Sequence, residues 1–269
     1  MHFVKILSNT QFDKMIQKLN YKEYGTGEPV IILHGFLGML DNWHSFSRKL
    51  SESYRVISVD QRNHGKSFHS EDFSYEVMSQ DLLYLIDDLR LKKVKLIGHS
   101  MGGKTVMQFL SQHEAYVDKA IIIDIAPKQY HGGHEPILEA LNTLDLSAIE
   151  KRSDAQDMLM DKLGNMGVVQ FLLKNLNRKP DQSYEWKANV DLLYQKYKEV
   201  SEEIKFQEPC NIPSLFVRGT NSSYITTQDE NHISNIFRKV HNKNIEAGHW
   251  VHAEKPMELL DVTKTFLAS

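Results

Sequence analysis

The sequence predicts an α/β protein: a mostly parallel sheet flanked by helices on both faces and interrupted by one helical insertion. Three observations predict it. Short β-branched and aliphatic runs recur at intervals that leave room for a helix between each pair. The intervening segments carry apolar residues at helical spacing. The alternation then stops for about 75 residues before it resumes, a length that suits a small lid rather than a linker.

The elements follow in order. A polar opening leads to Tyr21 to Tyr24 and the Gly25, Thr26, Gly27 turn, which together predict a hairpin into the buried strand Val30 to Leu33. Tyr54 to Val59, Val94 to Ile97 and Ala120 to Ile123 repeat that strand pattern. Met78, Leu82, Leu85, Ile86 and Leu89 form the apolar stripe of a helix, with Asp81, Asp87, Asp88 and Arg90 at its other positions. Strands alternating with amphipathic helices make a parallel sheet buried on both faces. From Lys128 to Glu203 no strand-like run appears, only helical pieces such as Ala155 to Leu163 and Val168 to Leu176, broken by Gly164, Gly167 and Pro180. Strand character returns at Ser214 to Val217 and around Asn244 to Ile245, and a helix over Met257 to Leu267 closes the chain.

Composition removes several function classes. The chain has 269 residues, 41% hydrophobic and 25% charged, enough for one large domain with an insertion. Its apolar runs are far shorter than the roughly 20 residues of a membrane-spanning helix. The net charge of -3 comes from 32 basic and 35 acidic residues dispersed along the chain. No basic block is available to hold phosphate backbones, which argues against nucleic-acid binding. The opening MHFVKILSNTQ lacks the apolar stretch and cleavage site of a secretory leader. With the single Cys210, this predicts a reducing, cytoplasmic setting.

The chemistry starts at Gly98-His99-Ser100-Met101-Gly102, a G-x-S-x-G between a buried strand and a helix. Small residues flank the serine because the turn is sharp, and the turn lifts the hydroxyl into the open. It also aims the Met101 N–H at an oxyanion, aided by the helix N-terminus. His34-Gly35-Phe36-Leu37-Gly38, after the first buried strand, can turn the Phe36 N–H inward as the second oxyanion donor. A serine needs an imidazole to take its proton, and His249 in Ala247-Gly248-His249-Trp250 stands on a loop after the last strand. His34 and His252 fit structural roles better. His131 and His134 have metal-like spacing but no third ligand nearby, so no metal site is expected and a polar lid surface is the expectation for both. Lys104, in the first turns of the helix, is expected to be solvated or salt-bridged.

These blocks resemble the α/β-hydrolase superfamily across nearly the whole chain, and within it the small YbfF-type esterases. The resemblance rests on VIILHGFLG (Val30 to Gly38), LDNW (Leu40 to Trp43), DQRNHGKS (Asp60 to Ser67), GHSMGGK (Gly98 to Lys104), IDIAP (Ile123 to Pro127) and GHWVHAEKP (Gly248 to Pro256). It implies the α/β-hydrolase fold with a helical cap inserted after the sixth strand, a core over 1–127 and 206–269, and a cap over 128–205. It also implies hydrolysis of carboxylic esters, or acyl thioesters, without a cofactor. Asn63 stands where the superfamily usually has glycine, which asparagine's tolerance of left-handed backbone accommodates.

The resemblance also bears on the acid. A common pattern puts it after the penultimate strand, where Gly219-Thr220-Asn221-Ser222 offers no carboxylate. In the YbfF-type branch the acid comes from IDIAP, which assigns the role to Asp124. Asp60 is given a loop-bracing role, and Asp229 and Glu230 fall in a helix. The competing role for Asp124 is a strand-end cap or a partner for Lys128. Asn221 and Ser222 are expected near enough to bond the Asp124 carboxylate or to line the pocket floor, although Ser222→Ala is expected to matter little. The insertion should roof the pocket, with Phe171, Leu172, Tyr184 and Trp186 either lining it or forming the lid's own core, and Leu37 of the core is a further pocket candidate. The rivals are a carbon-carbon hydrolase, lyase or perhydrolase of the same fold, and a slow-turnover ligand receptor. Haloalkane dehalogenases and epoxide hydrolases need aspartate where Ser100 stands.

Overall fold

The computed structural model describes residues 17–269. The opening read above for a leader lies outside the described residues, as does the start of the 1–127 core. Five strands come first: β1 (Tyr21–Tyr24), β2 (Pro29–Leu33), β3 (Arg55–Val59), β4 (Val94–His99) and β5 (Val117–Ile123). Between them lie α1 (His44–Leu50), α2 (Tyr75–Asp88) and α3 (Met101–His113). The 128–205 segment follows, with α4 (Glu135–Asn142), α5 (Arg152–Leu163), α6 (Met166–Leu173), β6 (Leu176–Arg178), β7 (Tyr184–Trp186), α7 (Val190–Gln195) and α8 (Tyr197–Ser201). The chain then returns through β8 (Ser214–Gly219), α9 (Thr227–Ile236), β9 (Val240–Ile245), α10 (Val251–Glu254) and α11 (Pro256–Ala268).

Seven strands form one sheet in the order β1-β3-β2-β4-β5-β8-β9, parallel except for β1. The expected hairpin does not form. β1 lies antiparallel to β3, with Tyr21 opposite Val59 and Tyr24 opposite Val56, while β2 slots in beyond β3. Two sheet-strand expectations therefore shift together. A single antiparallel strand precedes β2, so the 128–205 segment follows the fifth strand of the described sheet rather than the sixth.

Alternate residues of each strand feed two cores, as the period of two requires. Ile31, Leu33, Ile57, Leu96, Ile122 and Phe216 pack under α2 and α3. Val30, Ile32, Val56, Ile97, Ile121 and Leu215 pack under α1 and α11 through Phe46, Leu50, Leu259 and Phe266. The 128–205 segment is not purely helical. β6 and β7 form an antiparallel hairpin, with Leu176 opposite Trp186, whose turn holds Pro180. Three-residue strands leave too short a pattern for period-two alternation to be legible. Gly164 ends α5 in a left-handed conformation, as expected of a helix stop, but Gly167 sits inside α6.

Every loop leaving a parallel strand at its carboxyl end reaches the same edge of the sheet, where ligands bind in open α/β folds. Asp60 fixes one of them. Its buried carboxylate accepts from the Leu40 N–H (2.7 Å), the Asn20 side-chain amide (2.7 Å) and the Lys66 N–H (2.9 Å). A Cβ on Gly65 would lie 2.2 Å from the Asp60 carboxyl carbon, so the loop closes on it only with glycine there. Asn63 adopts the left-handed conformation expected of it (φ 63). Asp81 departs from the helix's polar face: it is buried and holds Arg62 through two bonds of 2.6 and 2.8 Å. Asp60→Ala strips the acceptor from three donors and should cost about 3 kcal/mol or more of stability, read as a lowered denaturant midpoint at unchanged m.

Candidate active site

The edge of the sheet is organised around Ser100, at the end of β4 and the start of α3. Its backbone is left-handed (φ 52, ψ -119), a conformation a serine holds only where its surroundings force it. The surroundings do so through close approach. A Cβ on Gly98 would lie 2.3 Å from the Gly102 carbonyl oxygen, and one on Gly102 would lie 2.3 Å from that of Leu33. The Ser100 N–H donates to the Ile123 carbonyl at 3.0 Å, which ties the turn to β5.

His249, on the loop after β9, joins that turn to the end of β5. Its Nε2 lies 2.9 Å from Ser100 Oγ and its Nδ1 lies 2.8 Å from Asp124 Oδ2. The Tyr224 ring stacks on the imidazole at 3.7 Å between centroids and holds its plane. Asp124 is fully buried and left-handed (φ 50). Its Oδ1 accepts from the Gly219 N–H at 2.9 Å, and its Oδ2 also accepts from the Ser222 hydroxyl at 2.5 Å. Lys128 does not compete for it, since that ammonium pairs with Asp229 at 2.7 Å. Ser222 makes the bond the sequence allowed for it: a buried carboxylate has few donors available, and this hydroxyl is one of them. Asn221 makes no such bond. Its backbone N–H donates to the Ala247 carbonyl at 3.0 Å and braces the loop that carries His249.

Phe36 and Met101 flank Ser100. Met101 is the first residue of α3, where the N–H has no acceptor within the helix. Among the described residues neither its N–H nor that of Phe36 makes a hydrogen bond. Both are free to receive a negative oxygen.

Two small chambers meet at Ser100 and Phe36. One, about 40 Å³, is lined by Leu37, Trp43, Phe171, Leu172, Trp250 and His252 among others. The other, about 20 Å³, is lined by Tyr75, Lys104, Ile125, Tyr130, Tyr197 and Tyr224. Leu37 and Phe171 line the first chamber, with Phe171 packed on Trp250 at 5.3 Å. Tyr184 and Trp186 line neither chamber. As β7 residues they are partly buried against the larger hydrophobic core. His134 is not polar lid surface: it lines both chambers, edge-on to the Phe36 ring at 5.4 Å. Burial pushes its pKa down to about 4. Lys104 is buried, not solvated. Its ammonium donates to the Ser201 (3.2 Å) and Glu202 carbonyls and faces the Tyr130 ring. One turn after a glycine-rich elbow, nothing in the local sequence separates a buried lysine from a solvated one.

Among the described residues, no group of three or more histidine, cysteine, aspartate or glutamate side chains is arranged to hold a metal, and no helix is long and apolar enough to cross a membrane.

Comparison with known proteins agrees with this architecture. Residues 28–256 match the family model of the alpha/beta hydrolase fold. The chain is 36% identical over 241 residues to Esterase YbfF of Escherichia coli, covering 89% of this chain and 92% of that one. It is 34% identical over 248 residues to the sn-1-specific diacylglycerol lipase ABHD11 of Mus musculus, covering 89% and 80%. A solved structure of a marine microorganism esterase superposes with a TM-score of 0.91 at 39% identity, covering 93% and 99%.

The histidines behind the site carry a pH dependence. Burial lowers His34 from 6.5 to about 4, and burial together with the neighbouring His34 lowers His64 to about 3. Between those values and 6.5 the unfolded chain binds more protons than the folded one. Their contribution is therefore fully present above pH 6.5 and is lost as pH falls toward 4 and 3. The urea midpoint should fall over this window. In His64→Gln, which retains an acceptor but cannot titrate, the slope should be shallower.

Proposed function

The chain belongs to the α/β-hydrolase fold family, and from that premise we propose that it is a serine esterase, acting on carboxylic esters or acyl thioesters through an acyl-enzyme. The observation that carries the reading is the continuous hydrogen-bonded chain Ser100 Oγ, His249, Asp124, with bonds of 2.9 and 2.8 Å. The likeness to esterases and a lipase over most of the chain supports it.

In this mechanism His249 Nε2 accepts the Ser100 proton as Oγ attacks the acyl carbonyl. The N–H groups of Phe36 and Met101 hold the oxyanion, and the protonated His249 then donates to the leaving oxygen or sulfur. Water, activated by the same imidazole, releases the acid. Asp124 keeps the Nδ1–H tautomer of His249 and stabilises the imidazolium. The Gly219 N–H and the Ser222 hydroxyl keep that carboxylate aimed. We assign residues 128–205 the role of a cap: Phe171 and Leu172 of α6, together with His134, close over Ser100. The two chambers at Ser100 suit the acyl and leaving groups of one ester.

A fluorophosphonate should add to wild-type protein once, at Ser100, as read by intact mass and peptide mapping, and should not add to Ser100→Ala. No label on the wild type would remove the enzyme reading. On the same samples, an ester and thioester chain-length series ranks the substrates. Ser222→Ala should lower kcat by about tenfold with KM little changed, because the interaction it removes acts on the transition state through His249.

A further inference from the structure

The oxyanion loop is not held by the core alone. Leu37 follows Phe36 and is left-handed (φ 56), strained for a residue with a branched side chain. Both polar groups of its backbone are held by side chains from elsewhere. Its N–H donates to His64 Nε2 at 3.2 Å, and His64 Nδ1 is fixed against the Arg62 carbonyl at 2.9 Å. Its carbonyl accepts from the side-chain amide of Asn175 at 2.7 Å. Asn175 belongs to the 128–205 segment, between α6 and β6. Its own backbone is anchored at both ends, by donation to the Leu172 carbonyl (2.9 Å) and acceptance from the Lys187 N–H (2.8 Å).

Asn175 is almost entirely buried, yet among the described residues its Oδ1 has no hydrogen-bond partner. A buried carbonyl left unpaired is costly, and an apolar residue there would avoid the cost. What the amide supplies in return is the donor to Leu37. The same segment also reaches the His64 side of the loop. The Asn189 N–H donates to the Asn63 carbonyl at 2.9 Å and its side-chain amide approaches Asn63 Oδ1 at 3.3 Å, on the residue before His64.

We infer that Asn175 is a positioning residue for the oxyanion hole: the bond from its side-chain amide to the Leu37 carbonyl sets the loop that presents the Phe36 N–H, so that the cap completes the site as well as roofing it. The inference rests on the serine-esterase reading above. Loss of the bond frees Leu37 to leave its strained conformation, and the Phe36 N–H moves with it. The effect falls on the state that carries the oxyanion, not on the bound ester.

The test compares wild type, Asn175→Ala and Asn175→Leu, with Asn175→Leu keeping the side-chain volume but offering no donor. Each is assayed on a p-nitrophenyl ester, then titrated with a trifluoromethyl ketone and with the matching secondary alcohol. In the ketone adduct Ser100 Oγ bonds to the carbonyl carbon, its proton passes to His249, and the carbonyl oxygen becomes the oxyanion. The alcohol forms no adduct. In both variants kcat should fall by about 10-fold to 100-fold with KM within about twofold. Ketone affinity should fall in parallel while alcohol affinity holds. Normal kcat and ketone affinity in a folded variant would overturn the inference, as would an equal loss of ketone and alcohol affinity. If Asn175→Ala does not fold, Asn175→Leu decides. Wild type that neither turns over ester nor takes the Ser100 label would instead overturn the esterase reading, and this inference with it.

Discussion

A carboxylate with no exposed surface sits at the end of β5, and the surrounding structure has to supply its hydrogen bonds. Ionised and unpaired, it would cost several kcal/mol or more. It is paired three times: by the Gly219 N–H from the end of β8, by the Ser222 hydroxyl just beyond, and by His249 Nδ1 from the loop after β9. Each donor comes from a different point on the far side of the sheet, so the order β5-β8-β9 is a requirement of Asp124 as much as of packing. His249 is drawn to the one place from which Nε2 reaches Ser100. The Tyr224 ring, two residues past Ser222, then fixes the imidazole plane. The segment after β8 carries no acid because its work is to hold one.

The second constraint is backbone strain. Leu37, Asn63, Ser100 and Asp124 are all left-handed without being glycine, and all lie at the carboxyl edge of the sheet. Such residues persist only where neighbours over-determine them. For Ser100 the neighbours are backbone packed too closely for any Cβ. For Asp124 they are the three donors, and for Leu37 they are His64 and Asn175. Four such residues fixed at one edge shape the site, and side chains from 128–205 contribute to the lining of both chambers.

Much of this was legible in the sequence. The strands show as apolar runs because a sheet buried on both faces admits little else, and the serine turn shows because its crowding leaves only glycine two residues to either side of it. The blocks around Ser100, Asp124 and His249 mark side chains that the fold brings within hydrogen-bond distance. What stayed hidden depends on contacts between distant segments. β1 prefers β3 to its sequence neighbour β2. Asp81 leaves a polar helix face for Arg62, and Lys104 is buried against carbonyls of Ser201 and Glu202, nearly a hundred residues away. Asn175 gives no local signal at all, since its partner is the Leu37 carbonyl. Tyr184 and Trp186 look like pocket residues by type, but the short hairpin that carries them away from both chambers is too brief for its period to be read.

The central claim is that Asp124, from β5, orients His249 and stabilises its cation. The most direct measurement is the kcat of Asp124→Asn on an activated ester, taken on protein whose unfolding transition shows it folded. The account predicts a fall of about 10⁴-fold, since an amide in that position favours the wrong imidazole tautomer and carries no charge to balance the imidazolium. Turnover near the wild-type rate in that variant would contradict it.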